Sequence, residues 1–471
     1  MNIDRDTISE IVERVLRQEA QTARCNASSC SQNQFFKDVD SAVRSAVEGY
    51  RALSRTSIEQ RKEYIQAIRD TMHTHAQELA RMEVEETRLG RYEDEVSRII
   101  MTADKTPGTE DIKPEAYVGD FGLTVEEGQP YGVTLCITPS TAPCTTPIGN
   151  AICMIAAGNS IVFSPHPNAI NCTKRTVELI NEAIVRVGGP ANIINCMDAS
   201  SFEQTDRLMA HPNVDLIVVT GGPGIVKKAL TSGKKAICAG PGNPPAVVDE
   251  TADLVNASRC ILAGNYFMNG IQCICEKEII VVSSVADRLI TEMVNQGAYF
   301  IHDKSTVDRL TALVTGPDGE PVKEYNGKDP TIILAALGIQ VPAGTKSIIF
   351  EVDRNHPIAR GEYLMPLLPI IRVQDMNEAI NLAVELEKGN HHTAVVHSQN
   401  ISHLSDFVRA MGCTVMVKNG PSFAGNSNGG EGVTAATIAG ATGEGITTPR
   451  TFTRMSRCVM VGEFNLRTSS V

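Results

Sequence analysis

The sequence predicts an α/β protein built on doubly wound parallel sheets, and three observations carry that prediction. Apolar runs such as GVTLCITP, SIVFSP and VDLIVVTG alternate with helical patterns, as strands buried on both faces by crossover helices require. Gly-rich turns follow several of these strands directly, where such sheets present helix N-termini. Hydrophobic residues make up 42% and charged residues 21% of the 471, which excludes disordered, collagen-like and membrane-spanning chains. The formal charge of −12 repels phosphate backbones and anionic lipid, so neither nucleic acid nor a membrane is an expected partner.

The elements follow in order. MNIDRDTISEIVERVLRQ sets Ile8, Ile11, Val12, Val15 and Leu16 on one face, with Thr7 and Glu10 spaced as a capping box, and predicts an amphipathic helix over 1–18. EAQTARCNASSCSQNQ is polar and small, a linker over 19–34. A helix tethered in this way either packs back on the core or docks onto another protein. From Phe35 to about Ala103 the pattern is helical, and Val118 to Val133 alternates as a β-ribbon. Strands and helices then alternate up to a helix from Ile225, giving a first domain over 35–237. A second block from KKAICAG to Val373 has strands near Pro245–Val248, Glu278–Val282, Ser347–Glu351 and Leu368–Val373, a second domain over 238–425. The tail over 426–471 is rich in Gly, Thr and Ala and ends in the apolar strand RCVMVGEF.

The 13 cysteines are odd in number and dispersed, which argues against a disulfide scaffold. Cys273-Ile274-Cys275 has no second Cys/His pair at zinc-site spacing, His391-His392 lies far along the chain, and there is no Cys-x-x-Cys, so no metal site is expected. Three loops stand out. Thr220-Gly221-Gly222-Pro223-Gly224 between strand and helix is either a phosphate cradle or a plain turn. Ala239-Gly240-Pro241-Gly242-Asn243-Pro244-Pro245 is either a tight crossing or a close approach to a ligand. Tyr266-Phe267-Met268-Asn269-Gly270-Ile271-Gln272-Cys273 places a thiol at an element junction, buried and inert or facing a cleft.

Taken with ITPSTAP, AAGNSIVFSPHP, VVTGGPGIV, NGIQCICEKE, LMPLLPIIRV, HHTAVVHSQN and VKNGPSFAG, the order of these blocks resembles the CoA-acylating aldehyde dehydrogenases of bacterial microcompartments, propanediol- and ethanolamine-utilisation type, within the aldehyde dehydrogenase superfamily. The resemblance implies an NAD-binding domain, a catalytic domain and a bridging β element. It makes Cys273 the nucleophile, with Cys275, two residues on, as the runner-up or a spectator thiol. An aldehyde adds to the Cys273 thiolate, and the oxyanion takes one donor from the Cys273 N–H. Where relatives read Ser-Thr-Asn-Pro this chain has Ser140-Thr141-Ala142-Pro143, so Thr141 or Asn269 is the expected second donor. Hydrolytic members carry a Glu where this chain has Ala239-Gly240-Pro241-Gly242, so the acyl group is expected to leave to coenzyme A rather than to water.

For NAD, the resemblance sets Ile137, Thr138, Pro139 and Ser140 beside the nicotinamide, and Gly221, Gly222 and Ile225 at the phosphates. Glu362 falls on the nicotinamide ribose and Ser164 and His166 on the adenosine ribose, with Thr220, Gly240 and Leu364 completing the contacts. The Lys that hydrolytic relatives place at Ser164 is missing, which favours NAD over NADP. His391 and His392 are typical of the subfamily but acquire no mechanism. The expected substrate is a short aldehyde, propionaldehyde before acetaldehyde. The other implications are a homodimer or homotetramer, a cytoplasmic enzyme inside a microcompartment, and a shell or cargo protein bound by the N-terminal helix. Hydrolytic oxidation to the free acid and a non-catalytic cargo adaptor are the alternatives.

Overall fold

The computed structural model describes residues 34–465. The helix expected over 1–18 and the linker up to residue 33 lie outside these residues. A two-residue strand β1 (Phe35–Phe36) opens the described chain and pairs in parallel with β6, Phe35 opposite Cys196. The helical expectation from Phe35 is thus corrected. Asp38 is the N-cap, accepting a hydrogen bond from Ser41 N–H, so helix α1 (Val39–Leu53) starts only after it. Helix α2 (Ile58–Thr87) begins in a Ser57/Gln60 capping box and ends at left-handed Arg88, and helix α3 (Tyr92–Lys105) packs against it.

The ribbon is two antiparallel strands, β2 (Glu115–Gly119) and β3 (Gly122–Pro130). Strands β4 (Val133–Ile137), β5 (Ser160–Ser164), β6 (Ile194–Met197), β7 (Leu216–Thr220) and β8 (Lys235–Ala239) then form a parallel sheet in the order β1-β6-β5-β4-β7-β8. Helices α4 (Thr145–Ala157), α5 (Ile170–Arg186), α6 (Phe202–Ala210) and α7 (Pro223–Leu230) connect them. The chain winds outward from β4 through β5 to β6, then returns to β7 on the other side of β4. The switch point therefore falls between β4 and β7, where the crevice of an open α/β sheet receives ligands.

Strand β8 was expected in the second block, with the domain boundary at 237/238. It belongs to the first sheet, Leu216 of β7 standing opposite Lys235 and Thr220 opposite Ala239. The break in the chain is the Gly/Pro loop that follows, not the strand itself. The second parallel sheet comprises β9 (Pro245–Val248), β10 (Glu278–Val282), β11 (Tyr299–Ile301), β12 (Ile348–Glu351), β13 (Leu367–Val373), β14 (Thr393–His397) and β15 (Val415–Lys418), in the order β11-β12-β13-β10-β9-β14-β15. Its central strands are continuous apolar runs because helices such as α8 (Leu254–Tyr266) cover the faces. Short strands β16 (Ile438–Ala439) and β17 (Gly445–Ile446) follow, and β18 (Thr453–Val461) returns to lie antiparallel on β3, Met455 opposite Gly128 and Val461 opposite Gly122. The ribbon and the C-terminal strand thus make one three-stranded sheet.

The two main sheets meet end to end. Ile137, Ser164 and Thr220 are the last residues of β4, β5 and β7, whereas Gly242, Cys273, Glu362 and His392 all lie just before the first residues of β9, β10, β13 and β14.

Candidate active site

The site is built around the loop between α8 and β10. Met268, Asn269 and Gly270 are three successive left-handed residues, at φ 54°, 54° and 73°. Such a run is unfavourable for Met, and three outside contacts hold it. Asp94 of α3 accepts the Met268 N–H at 3.0 Å, the Asn269 side-chain amide donates to the Gly327 carbonyl at 2.9 Å, and buried Lys277 donates from Nζ to the Gly270 carbonyl at 2.6 Å. At Gly270 an added Cβ would lie 2.5 Å from the Met365 carbonyl oxygen. Gln272 and Cys273 emerge from this turn half-buried, and the Cys273 N–H bonds no carbonyl among the described residues.

Cys273 lines a mostly apolar cavity of about 80 Å³. The first domain contributes Pro139, Thr141, Ala142, Thr145, Thr220 and Ala239 to its walls, and α3 contributes Arg98, Met101 and Thr102. Phe267 and Phe423, ring centroids 5.2 Å apart, close one side, and Asn426, Asn428 and Thr434 to Ala436 come from the tail. No carboxylate among the described residues lines this cavity.

Asn269 is not among the lining residues and its amide donates to the Gly327 carbonyl, whereas Thr141 is on the wall and its hydroxyl bonds no other described group. Cys275 is buried with its thiol toward the Phe267 carbonyl at 3.6 Å and is not among the lining residues, so Cys273 is the thiol that faces the cavity.

Burial pushes the Cys273 thiol up to about 12, with Glu362 and Cys275 adding to the rise and Lys277 and its own N–H opposing it. Burial likewise raises Glu362, whose Oε1 accepts the Gly242 N–H at 2.9 Å. Gly242 in turn packs on the nucleophile: an added Cβ would sit 2.4 Å from the Cys273 carbonyl oxygen and 3.1 Å from His392 Cγ. His392 is buried behind this contact, its Nδ1 on the Thr393 hydroxyl, and burial lowers it to about 4. His391 is exposed at φ 52°, its carbonyl accepting the Thr414 N–H.

The residues expected to hold a dinucleotide gather at the switch point. Thr138 N–H bonds the Ser164 carbonyl, joining the ends of β4 and β5, and Thr138 Oγ1 is buried without a partner among the described residues. Ser164 Oγ meets the Ser200 and Thr205 hydroxyls, and His166 Nδ1 accepts from Asn168 N–H. Gly222 is the N-cap of α7, exposed, with no side-chain cap and open space where a Cβ would stand, while Ile225 lies half-buried one turn on. Uncapped N–H groups at a helix start beside an open glycine suit a phosphate, and the orphaned Thr138 hydroxyl suits a polar ligand atom. Ile137, Pro139, Ser140 and Thr220 connect this edge to the cavity, Thr220 bonding Thr437 of the tail at 2.9 Å. Gly240 lies half-buried against Ala441, and Leu364 is engaged through its carbonyl with Gly327 N–H.

Sequence reasoning missed Arg98, Gln272, Phe423 and the Asn426-to-Ile438 wall. The only signal was compositional, a Gly/Thr/Ala tail too poor in large apolar residues to form a core of its own.

The aldehyde dehydrogenase family profile matches residues 21–445. The acetylating acetaldehyde dehydrogenase EutE of Salmonella typhimurium is 41% identical over 469 residues, 98% of this chain and 100% of that protein. The CoA-propanoylating propanal dehydrogenase of the same organism is 42% identical over 434 residues, 92% and 93% of the two chains. Among solved structures, a Rhodopseudomonas palustris propionaldehyde dehydrogenase with bound CoA and an acylated cysteine matches at TM-score 0.91 and 43% identity, covering 92% of this chain and 99% of that one. A propionaldehyde dehydrogenase from the Clostridium phytofermentans fucose utilisation microcompartment matches at 0.90 and 42%, covering 92% and 99%.

Proposed function

The chain belongs to the aldehyde dehydrogenase family, and from that premise we propose that it is a CoA-acylating aldehyde dehydrogenase in which Cys273 carries the acyl group. The Cys273 sulfur adds to the carbonyl of a short aldehyde, propionaldehyde before acetaldehyde, and its proton leaves to solvent. The Cys273 N–H and the Thr141 hydroxyl receive the developing oxyanion. NAD, when bound, supplies the hydride acceptor. Ile137, Thr138, Pro139 and Ser140 hold its nicotinamide end, Gly221, Gly222 and Ile225 its phosphates, Glu362 one ribose and Ser164 and His166 the other. Loss of the carbinol hydrogen as hydride leaves a thioester on Cys273. The thiol of coenzyme A then displaces it, giving acyl-CoA and the free cysteine.

The observation that carries this reading over hydrolysis is the absence of a carboxylate among the described residues lining the Cys273 cavity. Water near neutral pH needs a base to attack a thioester, whereas a thiol with a pKa of roughly 8 to 9 already has some thiolate. Residues 35–239 then serve the dinucleotide and 240–425 the nucleophile, with the tail closing the cavity. The test is NADH formation from propionaldehyde: one equivalent per site is expected without CoA, and steady turnover with it. A Cys273→Ala protein with unchanged NADH rates, or free acid formed at comparable rate without CoA, overturns the assignment.

The same reading places the enzyme inside a bacterial microcompartment, supported by relatives such as the one named for the fucose utilisation microcompartment. No helix among the described residues is long and apolar enough to cross a membrane. The amphipathic stretch over 1–18 is the docking element for a shell or cargo protein, and the sheet of β2, β3 and β18 joins subunits into a dimer or dimer of dimers. Removal of residues 1–33 is expected to leave kcat within twofold and to abolish co-sedimentation with microcompartments. Loss of turnover on truncation contradicts this.

A further inference from the structure

We propose that Arg98 is a positioning residue for acylation: its guanidinium pins the Thr141–Ala142 peptide with the carbonyl turned onto the cation, so that the wall facing Cys273 offers donors rather than a carbonyl oxygen to the oxyanion. The inference rests on Cys273 being the nucleophile.

The geometry is specific. Arg98 lies on α3 with its side chain 5% exposed, and both terminal nitrogens donate to the Thr141 carbonyl at 3.1 Å. One of these nitrogens also bonds Glu83 and Glu95, each at 3.0 Å. Those carboxylates are 2% and 0% exposed, so the cation is matched by buried acid on the side away from the loop. Burial and the neighbouring Glu95 push Glu83 well above the usual carboxylate range.

A trans peptide points its N–H opposite to its carbonyl. With the Thr141 carbonyl held on Arg98, the Ala142 N–H faces the other way, and it bonds no acceptor among the described residues. Ala142 itself has no side-chain donor, so any donor the wall offers beyond the Thr141 hydroxyl depends on which edge of this peptide is presented. A flipped peptide would set a carbonyl oxygen against the oxyanion and remove a donor with it, which slows the step that forms the thioester.

Arg98 is also the middle of a brace. Its helix bonds the nucleophile loop through Asp94 and Met268 N–H, and the tail wall through Lys105, whose Nζ donates to the Ser427 carbonyl at 2.7 Å and whose carbonyl accepts from Thr434 N–H. Apolar side chains of similar volume commonly replace a buried ion cluster at no loss of stability. The charge here therefore finds its use in the carbonyl it holds.

The test separates carbonyl chemistry from thiol chemistry in the intact enzyme. Single-turnover NADH formation with propionaldehyde and NAD, without CoA, passes through the oxyanion, whereas alkylation of Cys273 by iodoacetamide does not. For Arg98→Lys, whose single ammonium cannot fork onto the carbonyl and both acids, the NADH burst is expected to slow about tenfold while alkylation and the KM for propionaldehyde stay within twofold. Arg98→Met, where it folds, is expected to be slower still. A burst within twofold of wild type in Arg98→Lys overturns the proposal. So does a parallel fall in burst and alkylation, which marks a general loosening of the site. A wild-type enzyme that gives no burst without CoA overturns the nucleophile assignment itself, a different result from either.

Discussion

Burial pushes the Cys273 thiol up, and charged groups near it tune that rise in both directions. Glu362 raises the thiol and Lys277 lowers it, so replacing each moves the titration in opposite directions. Glu362→Gln removes a negative neighbour and is expected to shift the pH profile of iodoacetamide alkylation toward lower pH, whereas Lys277→Met is expected to shift it upward. A profile that moves the same way in both variants contradicts this account. The motif singles out Cys273 as the candidate thiol, but nothing in it singles out Lys277. A lysine next to two glutamates reads as a solvated charge run, yet Glu276, Lys277 and Glu278 are all at most 2% exposed. Burial on both faces of β10 reverses the usual reading, and nothing in the local spacing announces that the strand is central.

At the scale of elements, two contacts decide whether the cavity keeps its shape. Gly242 permits the crossing loop to lie on the Cys273 carbonyl, and Gly242→Ala would drive a methyl to 2.4 Å from that oxygen, against backbone rather than a flexible side chain. The variant is expected to fold and to lose about a hundredfold in kcat, because displacement of a nucleophile by about an ångström costs that much; near-normal turnover would show that the loop has slack. The Gly/Pro loop was recognisable as a close approach or a crossing, and it is a crossing whose close approach is to the nucleophile's own backbone. The other contact is buried Glu276, which accepts both the N–H and the hydroxyl of Ser422, at 2.8 and 2.7 Å, and so ties β10 to the Phe423 wall. Burial raises Glu276 to about 7, opposed by those Ser422 bonds. A carboxyl raised in the folded state gives stability that is present below its unfolded value and is lost as pH rises through the folded one. Thermal stability is therefore expected to decline from about pH 4.5 to 7, with Glu276 responsible for on the order of 3 kcal/mol, and Glu276→Gln is expected to flatten that decline in melting scans. An unchanged slope would reassign the effect to the other buried glutamates.

On the scale of the whole molecule, alternating apolar runs specify parallel sheets but not which strand neighbours which. β8 joined the first sheet, and β14 and β15 extended the second beyond Val373, because pairing is set by crossovers whose partners are distant in sequence. The pairing of β18 with β3 joins segments more than three hundred residues apart, and it creates a surface no single strand implies. In that sheet Tyr117, Thr124 and Val459 are register partners across three strands, and Met455 and Val461 share the face of Val459. Tyr117 is 54%, Met455 59%, Val459 52% and Val461 79% exposed, apolar positions interrupted on the same face by Arg457 and its Glu126 partner, along an edge strand whose outer hydrogen-bonding groups pair with nothing among the described residues. Free edges and apolar strips of this kind are normally covered or blunted with charge. A second subunit is the occupant proposed for this sheet above. Val459→Asp sets a negative charge among the exposed apolar side chains, and paired with Met455→Asp it is expected to convert the proposed oligomer to monomers in light scattering at micromolar concentration. Because the cavity is built within one chain, the NADH burst per site is expected to survive. Unchanged mass in the double variant would move the subunit contact to another surface, while loss of the burst together with the mass would mean that the sheet holds the site in shape as well as the subunits together.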